Sequence, residues 1–90
     1  MIVKDHGQIL CIVDDDLLGK VFEEGIAILD LCSPFFQGEP ASEQEILALL
    51  PRSIIVAIGK DSIALLKKKI DLEDRDVLFV QNIPHVQIVL

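Results

Sequence analysis

The chain has 90 residues, of which 51% are hydrophobic and 26% are charged, and its formal net charge is −7. This length and composition exclude a disordered or multidomain protein and predict a single domain over residues 1–90 with its own hydrophobic core. The negative charge disfavours contact with a nucleic-acid backbone. Without a signal peptide or a membrane-spanning apolar run, we expect a soluble, cytoplasmic protein with no membrane partner.

The N-terminal part of the chain predicts a β-hairpin. Ile2–Lys4 and Gln8–Val13 have the composition of strands, and Asp5-His6-Gly7 between them supplies residues that turns favour. The run from Ile9 to Val13 is continuously apolar rather than alternating, which is typical of a strand covered on both faces. We therefore expect this strand near the centre of a sheet.

A short helix and a strand are predicted next. The apolar residues in Leu17–Phe22 have helical spacing, and one of the aspartates in Asp14–Asp16 is expected to cap this helix. Gly25 is expected to end it, because glycine adopts the left-handed conformation of a helix C-terminus without strain. Ile26–Leu31 then predicts a strand.

The second half of the chain begins with a second predicted helix. Ser42 and Glu45 form a Ser-x-x-Glu capping box at its start, and Pro51 ends it. Ser53–Ile58 is rich in β-branched residues and predicts a second central strand. A third helix is predicted over Ser62–Ile70.

Two more strands complete the predicted fold. Val77–Gln81 follows the third helix, so strand, helix and strand predict a right-handed parallel crossover. His85–Leu90 alternates as a half-buried final strand does, and it could lie at a sheet edge. We predict an α/β (mixed α+β) fold, in which about three helices pack on a mixed sheet of about five to six strands.

The sequence contains no specific metal or cofactor signature, and none is predicted. Leu18-Gly19-Lys20 lacks the other residues of a phosphate-binding P-loop, and consecutive carboxylates in Asp14–Asp16 fan outward rather than converge on a cation. Gly59–Ser62 follows a strand and opens a helix, which favours a turn with an N-cap. A weaker alternative is an anion site at Lys60 and Ser62.

Two further groups of residues leave alternatives open. Phe35 and Phe36 lie in a loop rich in proline and glycine, where they either fold back over the sheet or form a contact for a partner. Cys11 and Cys32 lie in or beside apolar strand-like runs and are predicted to be core thiols. A disulfide between them would require the two strands to be neighbours.

Three short motifs resemble a known family. They are L-G-K-x-F-x-E-G from Leu18, F-x-G-E from Phe36 and P-H-x-Q from Pro84, and together they resemble the archaeal domain of unknown function 424 family. The resemblance implies a small cytoplasmic archaeal protein with an α/β fold and no assigned activity. It also directs attention to a candidate functional surface made of Gly19, Lys20, Glu24, Gly38, Glu39 and His85, if these residues converge.

The function that the sequence favours is that of a non-enzymatic interaction module. It would act as a homodimer or as a subunit of a larger complex, with Phe35 and Phe36 as a partner contact. One alternative is an RNA- or translation-associated binding protein, which the charge disfavours. A further alternative is a small-molecule enzyme that uses His85, Lys20 and a carboxylate as acid-base groups.

Overall fold

A six-stranded mixed sheet forms the centre of the protein in the computed structural model, which describes residues 1–89. The elements in chain order are β1 (Ile2–Asp5), β2 (Ile9–Val13), β3 (Val21–Glu24), β4 (Ala27–Asp30), β5 (Glu39–Pro40), α1 (Glu43–Leu49), β6 (Ile54–Ile58), α2 (Lys60–Lys67), β7 (Leu78–Val80) and β8 (Ile83–Val89). Short 3₁₀ helices cover Asp15–Leu17, Pro34–Phe36 and Asp74–Asp76. The strand order is β5–β1–β2–β6–β8–β7, and β3 and β4 form a separate hairpin.

The two continuously apolar runs are the central strands, as predicted. β2 and β6 are adjacent and parallel, with Leu10 beside Ile55 and Ile12 beside Ala57. These four side chains are buried on one face of the sheet, and Val13 and Ile58 of the same strands are buried on the other, so both faces are covered. The predicted N-terminal hairpin is also confirmed, since β1 pairs with β2 in antiparallel register.

The sheet separates two hydrophobic clusters. One face packs against α1 and α2, whose Ile46 and Leu66 are fully buried with the inward residues of β2, β6 and β8. The other face packs against the β3–β4 hairpin and the loop after it, which contribute Leu29 and Leu31 respectively. The helices therefore cover one face and the hairpin covers part of the other.

The helix predicted over Leu17–Phe22 and beyond is wrong. Asp15–Leu17 forms one 3₁₀ turn, and Val21–Glu24 is instead strand β3, which pairs with β4. The apolar spacing fits a helix, but Val21 is exposed and its neighbour Phe22 faces the sheet, which is a strand pattern. As a result, the described residues contain two α-helices rather than about three.

The arrangement of the C-terminal strands differs from the prediction. β6 and β7 are each antiparallel to β8, so they run parallel to one another, but β8 lies between them. The final strand is therefore interior, and the expectation that it lies at a sheet edge is wrong. Leu90, which the predicted strand included, lies outside the described residues.

None of the helices in residues 1–89 is long and apolar enough to cross a membrane.

The capping box at the start of α1 is confirmed: the Ser42 hydroxyl accepts from the Glu45 amide, and the Glu45 carboxylate accepts from the Ser42 amide. The hydrogen bond that the Ser42 amide donates to the Glu45 carboxylate lowers the pKa of Glu45 below its ordinary value.

Arg52 ties the β1–β2 turn to the end of α1. Its Nη1 and Nη2 atoms donate to the two carboxylate oxygens of Asp5 at 2.7 and 2.9 Å, and Nη1 also donates to the Gly7 carbonyl at 2.7 Å. Its Nε donates to the Leu49 carbonyl at 3.0 Å. The hydrogen bond from Arg52, together with one from the Gly7 amide, holds the pKa of Asp5 below its ordinary value of 3.8.

Acid should weaken this link in a measurable way. Because the pKa of Asp5 is lowered in the folded protein, the pair contributes stability above pH 3.8 that is lost as the pH falls through the folded-state pKa. We expect Asp5→Asn to lower the free energy of unfolding at about pH 6 and to have a shrinking effect toward about pH 2. Urea unfolding across this pH range measures the difference. In an Arg52→Gln background the Asp5→Asn effect should shrink, because only the hydrogen bond from the Gly7 amide remains. An effect that stays constant with pH would contradict the assignment.

Candidate functional site

A crevice lies at the carboxyl ends of the adjacent parallel strands β2 and β6. The chain leaves β2 toward the hairpin face of the sheet, since Leu17 belongs to the cluster on that face. It leaves β6 toward the helix face, because α2 packs there through Ile63 and Leu66. Two neighbouring parallel strands whose connections leave on opposite faces create a topological switch point, where open α/β sheets place their ligands.

The crevice has a volume of about 400 Å³. Its polar lining comes from Asp14, Asp16, Lys60 and Asn82, and its apolar lining includes Leu17, Phe79, Ile83 and Pro84. A second groove of about 530 Å³ continues from it along α2 and shares Lys60, Phe79 and Pro84 with the crevice. Both volumes fall in the range of small-molecule sites.

Asp14 is buried at the base of the crevice and caps a helix that is distant in sequence. Its Oδ1 accepts from the Ser62 amide at 2.8 Å and from the Ser62 hydroxyl at 2.7 Å, while its Oδ2 accepts from the Asp61 amide at 3.1 Å. These donors belong to the first turn of α2, whose positive end favours a carboxylate. Asp14 therefore satisfies α2 rather than the 3₁₀ turn that follows it, where no side-chain cap is formed.

Gly59 makes this arrangement possible. It joins β6 to α2 with φ of 106°, and its amide donates to the Pro84 carbonyl at 2.8 Å. A Cβ atom at this position would lie 2.2 Å from Cγ of Asp14. The Asp14 carboxyl group can occupy the N-terminus of α2 only because residue 59 has no side chain.

The predicted anion site at Lys60 and Ser62 has a different environment from the one expected. Ser62 is fully buried, and its hydroxyl and amide both donate to Asp14. Lys60 is exposed and lines the crevice. The protein's own carboxylate therefore fills the position at the helix N-terminus, and the amide and hydroxyl of Ser62 already have an acceptor.

The six residues of the candidate functional surface do not all lie together. Gly38 and Glu39 lie at β5, on the edge of the sheet, whereas His85 lies in β8, four strand spacings away. At about 4.8 Å per spacing this separates them by roughly 19 Å. The sheet order therefore divides the set.

Several of these residues have structural roles. A Cβ at Gly38 would lie 2.0 Å from the Val3 carbonyl oxygen, so glycine permits close approach to β1. The Glu24 carboxylate accepts from the Gln81 amide at 2.7 Å, and the Gln81 side chain donates to the Glu23 carbonyl at 2.7 Å. Two hairpin turns, β3–β4 and β7–β8, are joined in this way.

Lys20, Gly19 and His85 complete the predicted set. The backbone amide of Gly19 and the carbonyl of Lys20 bond to Leu31, and the Lys20 side chain is exposed. His85 is half-buried between its strand neighbours Ile58 and Leu78, and its Nδ1 has no partner among residues 1–89. No hydrogen bond among the described residues joins His85 to Lys20 or to a carboxylate.

The two phenylalanines of the loop have different environments. Phe36 packs on the hairpin-side cluster, whereas Phe35 is partly exposed and stacks on His6 with ring centroids 4.3 Å apart. The Phe35 carbonyl lies 2.9 Å from Nε2 of His6. Phe35 is therefore accessible to a partner, whereas Phe36 is largely used in packing against the protein's own core.

The two cysteines also differ. Cys11 is a core thiol as predicted, and burial raises its pKa to about 11, so it stays protonated at neutral pH. The prediction of a core position is wrong for Cys32, which is exposed, and its thiol donates to the Gly19 carbonyl at 3.0 Å. Both are free, and residues 1–89 hold no cluster of His, Cys, Asp and Glu suited to a metal ion.

Sequence reasoning missed Asp14, Asp16, Phe79 and Asn82 as neighbours of Lys60. One signal could have placed Asp14, because the carboxyl ends of two parallel central strands meet at one edge of a sheet. Phe79 and Asn82 carried no comparable signal, since their position depends on β8 inserting between β6 and β7.

Comparison with known proteins shows the family of this chain. Among curated proteins there is no significant match. The fold is similar to the crystal structure of an uncharacterised conserved protein from Methanopyrus kandleri, with a TM-score of 0.66 and 17% identity over 96% of this chain and 85% of that chain. A family model described as a protein of unknown function, DUF424, matches residues 2–90. The resemblance found in the sequence motifs is thus confirmed, and the chain belongs to the DUF424 family.

Proposed function

We propose that the protein is a non-enzymatic interaction module that binds a protein partner through the outer face of the β3–β4 hairpin. The observation that carries this proposal is a group of exposed apolar side chains, which we call the apolar hairpin surface. Its members and their exposed fractions are Val21 (49%), Ile26 (102%), Ile28 (66%) and Leu78 (63%). Groups of large apolar side chains exposed on one part of a surface are typical of protein contacts.

The geometry of the hairpin supports this role. Phe22 and Leu29 pair across the hairpin and face the sheet, so alternation directs Val21 and Ile28 outward. Ile26 occupies the turn after Gly25, whose φ of 61° is that of the first position of a type II′ turn. Both hairpin strands lie against β7, which carries Leu78.

The surface is held in place before any partner arrives. The bonds between Gln81 and the backbone and side chain of Glu23 and Glu24 join the hairpin to the β7–β8 turn. A surface that is already ordered loses less conformational entropy on binding. An ordered hairpin therefore lets Ile26 bind a partner at a lower entropic cost than a flexible turn would.

The charge around the surface indicates the kind of partner. Glu23 and Asp30 lie on the same outward face as Val21 and Ile28, and the whole chain carries a net charge of −7. Two copies meeting through this face would bring like charges together. This charge repulsion disfavours a homodimer and favours a subunit that binds a different protein. The partner would carry an apolar patch flanked by lysine or arginine.

The alternatives have less support. In the basic run, Lys67 pairs with Asp74 at 2.9 Å and Lys68 pairs with Glu43, which reduces the positive charge available to RNA. An enzyme built on His85, Lys20 and a carboxylate would need these groups to be linked, and no hydrogen bond between them is formed in the described part of the chain.

A capture experiment tests the proposal. Tagged protein would be used to isolate partners from a lysate of its source, with and without nuclease, and the retained proteins identified by mass spectrometry. We expect a stoichiometric, nuclease-resistant partner whose binding falls at least about tenfold in the double variant Ile26→Ser, Ile28→Thr, because apolar anchors dominate such contacts.

The matched control is Val89→Thr, which changes an exposed apolar residue of β8 outside the hairpin. It should retain the partner. Loss of the partner with nuclease would favour the RNA alternative, and equal retention by the double variant would exclude the apolar hairpin surface as the contact. Circular dichroism spectra of all variants check that the fold is kept.

A further inference from the structure

The crevice at the ends of β2 and β6 is lined by two oppositely charged side chains that form no ion pair among residues 1–89. Asp16 comes from the connection after β2, and Lys60 from the connection after β6. Neither forms an ion pair within residues 1–89, where the ion pairs involve other side chains. Asp14, by contrast, already accepts three hydrogen bonds from α2. The groups free to meet a ligand are therefore one carboxylate and one ammonium group.

The rest of the lining is mostly apolar. Leu17, Ile83 and Pro84 contribute aliphatic surface, and the largely exposed ring of Phe79 stands where the crevice meets the groove along α2. A ligand that removes this ring and the neighbouring Pro84 from water gains the hydrophobic contribution that small-molecule sites depend on.

The N-terminus of α2 argues against a simple anion as the ligand. Helix N-termini bind phosphate through free amides, but here the amides of Asp61 and Ser62 donate to Asp14. A phosphate would also approach two carboxylates, Asp14 and Asp16, in exchange for one lysine. The charges match a ligand that carries one positive and one negative group.

We propose that this crevice binds a small zwitterion with an apolar body, of which an amino acid with a hydrophobic side chain is the simplest example. Its ammonium group pairs with Asp16, its carboxylate pairs with Lys60, and its side chain packs on Phe79 and Pro84. The crevice shares no residue with the apolar hairpin surface, so the proposal does not depend on the proposed protein contact.

Three probes of similar shape separate the contributions of the two charges. L-phenylalanine carries both groups, phenethylamine only the ammonium and 3-phenylpropionate only the carboxylate. Titration of the ¹⁵N-labelled protein, followed by NMR, should shift the amides of Lys60, Asp61 and Asn82. We expect L-phenylalanine to bind with a dissociation constant on the order of 1 mM, as a ligand of this size with modest efficiency does. Each single-charge probe should bind at least about threefold more weakly.

Two variants test the assignment of each charge. Asp16→Asn should weaken L-phenylalanine and phenethylamine by about threefold or more and leave 3-phenylpropionate unchanged or stronger. Lys60→Gln should weaken L-phenylalanine and 3-phenylpropionate and leave phenethylamine unchanged. The matched controls are Asp71→Asn and Lys69→Gln, which remove exposed charges outside the crevice and should bind all three probes as the wild type does.

The reciprocal pattern in the two variants would establish the site. Equal binding of the three probes, binding that neither variant changes, shifts confined to other parts of the chain, or no shifts at the solubility limit of the probes would each overturn the proposal. All crevice variants replace exposed residues, and their NMR spectra report folding directly, so loss of binding is distinguishable from loss of structure.

Discussion

Replacing Gly59 with alanine should destabilise the protein by about 4 kcal/mol, a large part of the roughly 5–15 kcal/mol that holds a small domain folded. Gly59 has φ of 106° and ψ of 154°, a region in which residues with a Cβ are strained. The new Cβ would also lie 2.2 Å from Cγ and 2.3 Å from Oδ2 of Asp14. Relieving this overlap displaces the buried carboxylate from the N-terminus of α2, so strain and loss of the cap add together.

Urea unfolding followed by circular dichroism measures this loss. Gly25→Ala is the matched control, because Gly25 also has positive φ, at 61°, but no heavy atom lies within 4 Å of its added Cβ. It should cost only about 1–2 kcal/mol, the ordinary strain of a left-handed residue. Equal losses at the two positions would show that contact with Asp14 does not decide the role of Gly59.

Removing the Asp14 carboxylate should have the next largest effect. Asp14→Ala leaves the Asp61 amide and the buried amide and hydroxyl of Ser62 without their acceptor. Buried donors without a partner and the loss of a helix cap together predict a decrease of about 3 kcal/mol in the free energy of unfolding. The hydrogen-exchange protection of the first turn of α2 should fall as well.

Asp14→Asn provides the graded comparison. The amide keeps the shape and one acceptor oxygen, so we expect a loss of about 1–2 kcal/mol. In the Ser62→Ala background the effect of Asp14→Ala should shrink, since one of its donors is already absent. Additive effects of the two substitutions would contradict a direct bond between these side chains.

Local sequence patterns predicted several elements correctly. The apolar runs ending at Val13 and Ile58 are the central strands, and Ser42 with Glu45 caps α1. Each of these signals depends on a few consecutive residues: a continuous run for a strand buried on both faces, or a Ser-x-x-Glu spacing for a cap. Their physical cause is local, so the sequence was sufficient to identify them.

The helix predicted over Leu17–Phe22 shows where local pattern fails. Four apolar residues at helical spacing also suit a turn followed by a strand, and only tertiary contacts distinguish the two. In the structure Phe22 faces the sheet opposite Leu29, and Val21 remains in solvent. The gain from covering the sheet with a hairpin outweighs the weak helical preference of so short a segment.

The candidate site depended even more on tertiary structure. Lys60 was identified from its place after a strand, but one of the aspartates in Asp14–Asp16 was expected to cap the adjacent predicted helix. In the structure Asp14 caps α2 instead, through amides 47 and 48 residues later. Parallel pairing of β2 with β6 brings Asp14 to α2, and insertion of β8 between β6 and β7 brings Asn82 and Phe79 to the same crevice.

The sequence by itself therefore determined the two central strands, the N-terminal hairpin, the start of α1 and membership of the DUF424 family. Tertiary structure alone decided the strand order, the interior position of β8 and the exposure of Ile26 and Cys32. The physical reason is that the hydrophobic periodicity of a segment indicates which of its own residues are buried. Which strands become neighbours depends instead on how the faces of the sheet pack against elements that are distant in sequence.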